Sequence, residues 1–168
     1  PSMPYTIPWA NSLFEDNAEF GFGILNATNV IRKRIGRIME KNLDSSNKEL
    51  FSKYLENPND YEITKEVYDS LNYADCPKEL VSIKDYIPKK VIWSIGGDGW
   101  AYDIGYGGID HVLASNENIN ILVLDTQIYS NTGGQASKAS PKGSIASFAS
   151  NGKINSKKDL ARIALSYP

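Results

Sequence analysis

The sequence predicts an α/β domain in which a parallel sheet is flanked by helices. Three observations point there. Val91-Ile92-Trp93-Ser94-Ile95 is short, β-branched and aromatic, and it halts at Gly96-Gly97-Asp98-Gly99, the pattern of a buried strand closed by a turn. Ala101 to Ala114 then carries Ile104, Ile109, Val112 and Leu113 and reads as a helix despite Gly105, Gly107 and Gly108. Ile119 to Leu124 is a second apolar run of strand length, ending at Asp125. Strand, glycine-rich turn, helix and strand make a βαβ unit, which needs a parallel sheet covered by helices.

The remaining elements follow from spacing. Pro1 to Pro8 cannot hold a regular helix interior, whereas Ser12 and Glu15 have capping-box spacing and start a helix near Leu13. Gly21 and Gly23 should interrupt it. From Asn26 to Leu43, Val30, Ile31, Ile35, Ile38 and Met39 recur at helical spacing, which predicts an amphipathic helix. Residues 44–88 are the least apolar part and are expected to form a helical insertion. Within it Ser46 and Glu49 suit a capping box, and Leu50, Phe51, Tyr54 and Leu55 form one buried face. Asn57-Pro58-Asn59-Asp60 is a turn by composition, and Thr64 to Leu71 a further short helix. Lys157 to Tyr167 places Leu160, Ile163 and Ala164 on one face of a last helix. No strand follows it before Pro168, so the sheet is expected to be truncated at both ends.

Composition narrows the function. The chain has 168 residues, 41% hydrophobic and 23% charged, enough apolar material for a core of one domain. A net charge of −2 gives no electrostatic footprint for nucleic acid or an anionic membrane. No apolar run has the length of a membrane span, and no secretory signal is evident. Cys76 is the sole cysteine, so no internal disulfide forms, and the four thiolates an iron–sulfur cluster normally takes are lacking.

Eight of the 13 glycines fall between Gly96 and Gly134, a concentration expected where backbone must approach a ligand. In open α/β sheets ligands sit at the carboxyl ends of the strands. Both predicted strands deliver polar clusters there: Gly97-Asp98-Gly99 after the first, and the run from Asp125 through Asn131-Thr132-Gly133-Gly134-Gln135 after the second. A helix beginning near Gly99 offers N–H groups to a phosphate, yet Asp98 would repel a bare one. A divalent cation between them resolves the conflict, and magnesium takes oxygen ligands from carboxylate, hydroxyl, carbonyl and diphosphate together. The dinucleotide fingerprint fails, because Tyr102 stands where its last glycine belongs.

The run GGDGWAYDIGYGGIDHVLAS followed by NINILVLDTQIYSNTGGQASKASP resembles the thiamine-diphosphate domain of pyruvate:ferredoxin (flavodoxin) oxidoreductases, as does WANSLFEDNAEFGFG upstream. The resemblance implies the thiamine-diphosphate-binding fold. It makes Asp98, the Thr126 hydroxyl 28 residues later and the Ile128 carbonyl the magnesium ligands. Gly97, Asp98, Gly99 and Trp100, with Thr126, Gln127, Ile128, Tyr129, Ser130 and Asn131, would line the cofactor. Asn131 would be catalytic, sitting near the reacting carbon as a neutral donor to developing charge. The family activity is oxidative decarboxylation of pyruvate to acetyl-CoA and CO2, with coenzyme A as acetyl acceptor. Electrons pass through 4Fe-4S clusters held outside this sequence to ferredoxin or flavodoxin. The resemblance also implies the other domains of a longer polypeptide as partners, a homodimer, and the cytoplasm or an anaerobic organelle as location. Asn116, Ala136 and Ser140 depart from the residues usual in the family, none at an implied metal ligand.

Two other readings stay open: a cofactor-binding module without catalysis of its own, and a non-redox thiamine-dependent 2-oxoacid decarboxylase. Other conspicuous residues have plain roles. His111 reads as a structural hydrogen-bonding residue, Cys76 as an ordinary thiol, Trp93 as core and Lys138 as a solvated cation. Glu15, Asp16 and Glu19 read as a wet helix face or a contact with another domain.

Overall fold

The computed structural model describes residues 15–167. The expected features at Pro1 to Pro8 and the helix start at Leu13 lie outside them. The chain divides into two compact units, one of residues up to Gly23 together with those from Ile92 onward, the other Ile24–Val91.

Helix α1 (Asn17–Glu40) is continuous through Gly21 and Gly23, which correct the expected interruption. Glycine in a helix interior costs about 1 kcal/mol against alanine. At Gly21 the absence of a side chain is required, because a Cβ there would lie 2.1 Å from Ser94 Oγ.

In the unit Ile24–Val91, α1 is followed by α2 (Lys48–Glu56), α3 (Tyr61–Ser70) and α4 (Lys78–Ser82). Ile35, Ile38 and Met39 of α1 close on Phe51, Tyr54, Val67, Leu80 and Ile87 in one buried cluster. Val30, expected on the same face, is instead 67% exposed. The α2–α3 turn falls at Asn57 to Asp60 as composition predicts, with the Asp60 carboxylate accepting from Ile63 N–H as a helix cap. The capping box at Ser46 does not form. Asn47 precedes α2 without a side-chain cap, and the Ser46 hydroxyl donates to Asp75 instead. Arg32, 8% exposed, closes this unit by donating to the carbonyls of Tyr86, Ile87 and Pro58. Burial lowers its pKa, an effect that the facing Tyr54 opposes.

In the other unit, β1 (Trp93–Gly96) and β2 (Asn120–Val123) pair in parallel with Trp93 opposite Asn120 and Gly96 opposite Val123, giving the expected βαβ arrangement. The connection is two helices rather than one, α5 (Asp98–Ala101) and α6 (Tyr106–Ala114). At the break the chain passes close to its neighbours: a Cβ on Gly105 would lie 2.4 Å from the Glu15 carbonyl and 2.8 Å from Trp100 Cα, so only glycine fits there. Trp100, Ala101, Tyr102, Ile109 and Val112 form the core with Ala18 and Ala139. Among the described residues β3 (Ile128–Tyr129) and β4 (Gln135–Ala136) make a short antiparallel pair that periodicity did not suggest. The last helix, α7 (Leu160–Ala164), is shorter than expected and none of its residues is fully buried.

The sheet is buried on one face only. Ser94 is 4% exposed and its hydroxyl donates to the Asn17 carbonyl at 3.0 Å, fastening β1 to the start of α1. Trp93, expected in the core, is 56% exposed, and Ile95, Leu122 and Leu124 are exposed as well. A continuous apolar run reads as a strand covered on both faces. Here no described element lies over the second face.

Candidate functional site

The carboxyl ends of β1 and β2 open into a cleft of about 230 Å³, lined in part by Gly96 and Leu124. That is below the ~300–1,000 Å³ typical of a complete small-molecule site. Gly97, Asp98, Gly99 and Trp100 line one side, and Thr126, Tyr129, Ser130 and Asn131 the other. Eight of the ten expected site residues are thus brought together. Gln127 and Ile128 lie in the same loop but not on the cleft wall. Glu15, Asn17 and Ile95 also line it and were not expected.

The glycines here serve packing more than ligand approach. A Cβ on Gly96 would sit 2.4 Å from the Trp100 ring, and one on Gly99 would sit 2.8 Å from the Tyr129 ring. Trp100 is 1% exposed, so it is a core residue whose edge reaches the cleft. Gly133 (φ 116°) and Gly134 (φ 81°) are left-handed, which lets the chain reverse between β3 and β4. Gln135 stabilises that reversal by donating to the Thr132 carbonyl at 2.8 Å and accepting from the Thr132 hydroxyl at 2.6 Å. Asn131 stands at the exposed start of the reversal.

Asp98 begins α5 and is 3% exposed. Its Oδ1 accepts from Thr126 N–H at 3.0 Å, and its Oδ2 from the Ser137 hydroxyl at 2.8 Å. Each carboxylate oxygen keeps a further lone pair. Thr126 Oγ1 lies 2.9 Å from the Ile128 carbonyl oxygen, with Gln127 between them in the left-handed region at φ 66°. The Thr126 N–H ties Asp98 to the same loop.

Asp125, one residue before Thr126, is committed elsewhere. Burial alone would raise its pKa, but hydrogen bonds from Lys157 and Tyr102 outweigh that and lower it. Burial and a hydrogen bond to Asp103 push the Tyr129 phenol up, so it stays protonated in the cleft. No group of three or more His, Cys, Asp or Glu capable of holding a metal exists among the described residues. A cation here would rest on one carboxylate plus neutral oxygens, leaving room for phosphate oxygens.

The other singled-out residues mostly play structural parts. Exposed His111 makes an edge-to-face contact with Phe22 at 5.7 Å rather than the expected hydrogen bond. Lys138 is solvated as expected, its side chain 63% exposed, and it also pairs with Asp103 at 3.0 Å. Burial raises the pKa of Cys76, as for an inert thiol. Ser137 was missed, because nothing local marks a serine 39 residues from its carboxylate.

Residues 81–168, more than half of the chain, match the family described as thiamine pyrophosphate enzyme, C-terminal TPP binding domain. The chain belongs to that family. It is also 47% identical to a pyruvate-flavodoxin oxidoreductase of Trichormus variabilis over 95% of its length. Identity is 44% to a pyruvate:ferredoxin oxidoreductase of Moorella thermoacetica, over 99% of the chain. It is 44% to a mitochondrial pyruvate dehydrogenase [NADP(+)] of Euglena gracilis, over 95% of the chain. The chain spans only 10–16% of the length of these relatives. Among the described residues no helix is long and apolar enough to cross a membrane.

Proposed function

We propose that this chain supplies the diphosphate- and magnesium-holding half of the site in an enzyme that oxidatively decarboxylates pyruvate to acetyl-CoA and CO2. What supports the reading is that three oxygen-bearing groups meet in one loop: the Asp98 carboxylate accepts from Thr126 N–H at 3.0 Å, and the Thr126 hydroxyl donates to the Ile128 carbonyl at 2.9 Å. When bound, thiamine diphosphate supplies the carbon chemistry of decarboxylation, and the protein contributes position and electrostatics. Asp98, Thr126 and Ile128 hold the metal, and Gly97 to Trp100 receive the diphosphate at the start of α5. Asn131 donates a hydrogen bond to charge developing on the substrate carbonyl. Ser130 and the protonated Tyr129 phenol complete the polar wall.

Electrons leave through 4Fe-4S clusters outside this chain, since Cys76 is its only cysteine and four thiolates are normally needed. The acceptor is ferredoxin or flavodoxin, and coenzyme A takes the acetyl group. We place the enzyme in the cytoplasm as a homodimer, with residues 44–88 a helical insertion in the cofactor domain. The cleft volume favours a second statement about the piece alone: it is a binding module that turns over no pyruvate without the rest of its site. The test is anaerobic viologen-dye reduction with pyruvate, coenzyme A, thiamine diphosphate and Mg²⁺. The natural polypeptide containing these residues should turn over and the isolated 168-residue chain should not. Absence of pyruvate-dependent reduction by the natural polypeptide would refute the assigned reaction.

A further inference from the structure

Two buried hydroxyls lie behind the metal loop. The Ser137 hydroxyl donates to Asp98 Oδ2 at 2.8 Å and accepts from Ala139 N–H at 3.0 Å. Ser137 N–H donates to Ser140 Oγ at 2.9 Å, and the Ser140 hydroxyl donates to the Gln127 carbonyl. Ser137 is 4% exposed and Ser140 0%, so both bonds lie away from bulk water. One tight turn thus holds the carboxylate ligand with one hydroxyl and the peptide between the other two ligands with the next. The turn itself is anchored, since Lys153 Nζ donates to the Ser140 carbonyl at 2.6 Å and Lys138 N–H to Asp103 at 3.2 Å.

We infer that Ser137 and Ser140 are positioning residues that fix the distance between Asp98 and the Thr126–Ile128 pair, and so set the site's preference for Mg²⁺ over larger cations. The inference rests on the metal assignment proposed above. Neither serine touches the metal. Ser137 locks the rotamer of Asp98, and Ser140 holds Gln127 in its left-handed conformation (φ 66°), which aims the Ile128 carbonyl. Left-handed backbone is unfavourable for a residue with a side chain and persists where surrounding bonds over-determine it. Mg²⁺ demands near-ideal octahedral geometry, whereas Ca²⁺ accepts six to eight ligands in looser arrangements. A loosened frame should therefore penalise Mg²⁺ and spare Ca²⁺, while a damaged fold would penalise both alike.

The experiment titrates Mg²⁺ and Ca²⁺ separately into the metal-free natural polypeptide with saturating thiamine diphosphate, by isothermal calorimetry. For Ser137→Ala the Mg²⁺ midpoint should rise about 10- to 100-fold, the range for lost outer-shell partners, and the Ca²⁺ midpoint much less. Ser140→Ala should move the same ratio in the same direction, and Ser140→Thr, which keeps the hydroxyl, should restore it. Equal shifts for both cations, or none in Ser137→Ala, would overturn the inference. If melting without metal shows Ser137→Ala unfolded, the Ser140→Ala and Ser140→Thr pair decides by the same ratio. Asp98→Ala separates the two claims. If it binds metal as the wild type does, the metal assignment falls and the inference with it. If it loses metal while the serine variants match the wild type, only the inference falls.

Discussion

The two compact units solve the problem of holding a chain in place by different means. In Ile24–Val91, aliphatic and aromatic side chains from four helices close on one another, and buried Arg32 serves three backbone carbonyls. In the sheet unit the decisive contacts are polar and tight. Asp98 is shared by a backbone N–H and a hydroxyl, and ring atoms of Trp100 and Tyr129 occupy space that only glycine leaves. Large apolar side chains remain outside it, Phe148 at 94% and Ile154 at 84% exposed. One unit is organised for its own stability. The other commits buried polar groups to one loop.

Substitutions can sharpen that contrast. Asp98→Ala removes the carboxylate of the proposed metal shell and should abolish retention of thiamine diphosphate and Mg²⁺ through gel filtration. Asp98→Asn should weaken retention less, because an amide oxygen still coordinates. Wild-type occupancy in the alanine variant would remove Asp98 from the ligand set. Asn131→Ala should next lower turnover by about 100-fold, the scale for one oxyanion donor, with cofactor affinity nearly unchanged. The opposite pattern, weak binding with normal turnover at saturation, would make Asn131 a binding residue.

A third substitution acts in the helical unit. Arg32→Met keeps much of the volume but leaves three carbonyls without their charged donor, at a cost of about 3 kcal/mol. Chemical denaturation measures it, and a change under about 1 kcal/mol would show that Arg32 is dispensable. The smallest effect is expected at Asp125, whose pKa is lowered from the ordinary 3.8. A depressed carboxylate stabilises the fold above its unfolded pKa, and that contribution disappears as pH falls through the folded value. Lys157 and Asp125 are partly exposed, so the contribution should be under about 1 kcal/mol. Asp125→Asn should therefore narrow the stability difference between pH 7 and pH 3 slightly, as read from melting temperatures.

The same contrast governs what the sequence discloses. Helical spacing from Ile31 to Met39 and the Leu50-to-Leu55 face were legible because burial there depends on period alone. Both strands were legible from their β-branched runs, and the Asp98 and Thr126 neighbourhoods from the polar clusters that end them. Trp93 was misplaced because an apolar run does not say whether one face or two are covered. Gly21 has the local signature of a helix breaker, because its reason, the Ser94 hydroxyl, lies on another element. Ser137 carries no local pattern, because its partner Asp98 lies 39 residues away, and the spacing at Glu15 marks a helix start rather than a place on the cleft wall.

Gly21 and Ser94 also bear on how this protein can change over generations. A methyl group at position 21 would lie 2.1 Å from Ser94 Oγ and 3.3 Å from Ile119, so alanine would force the Ser94 hydroxyl out of its place. Ser94→Gly would open the space but give up the hydroxyl's bond to the Asn17 carbonyl, about 1 kcal/mol. A change at position 21 is thus coupled to the side chain at position 94, although 73 residues separate the two.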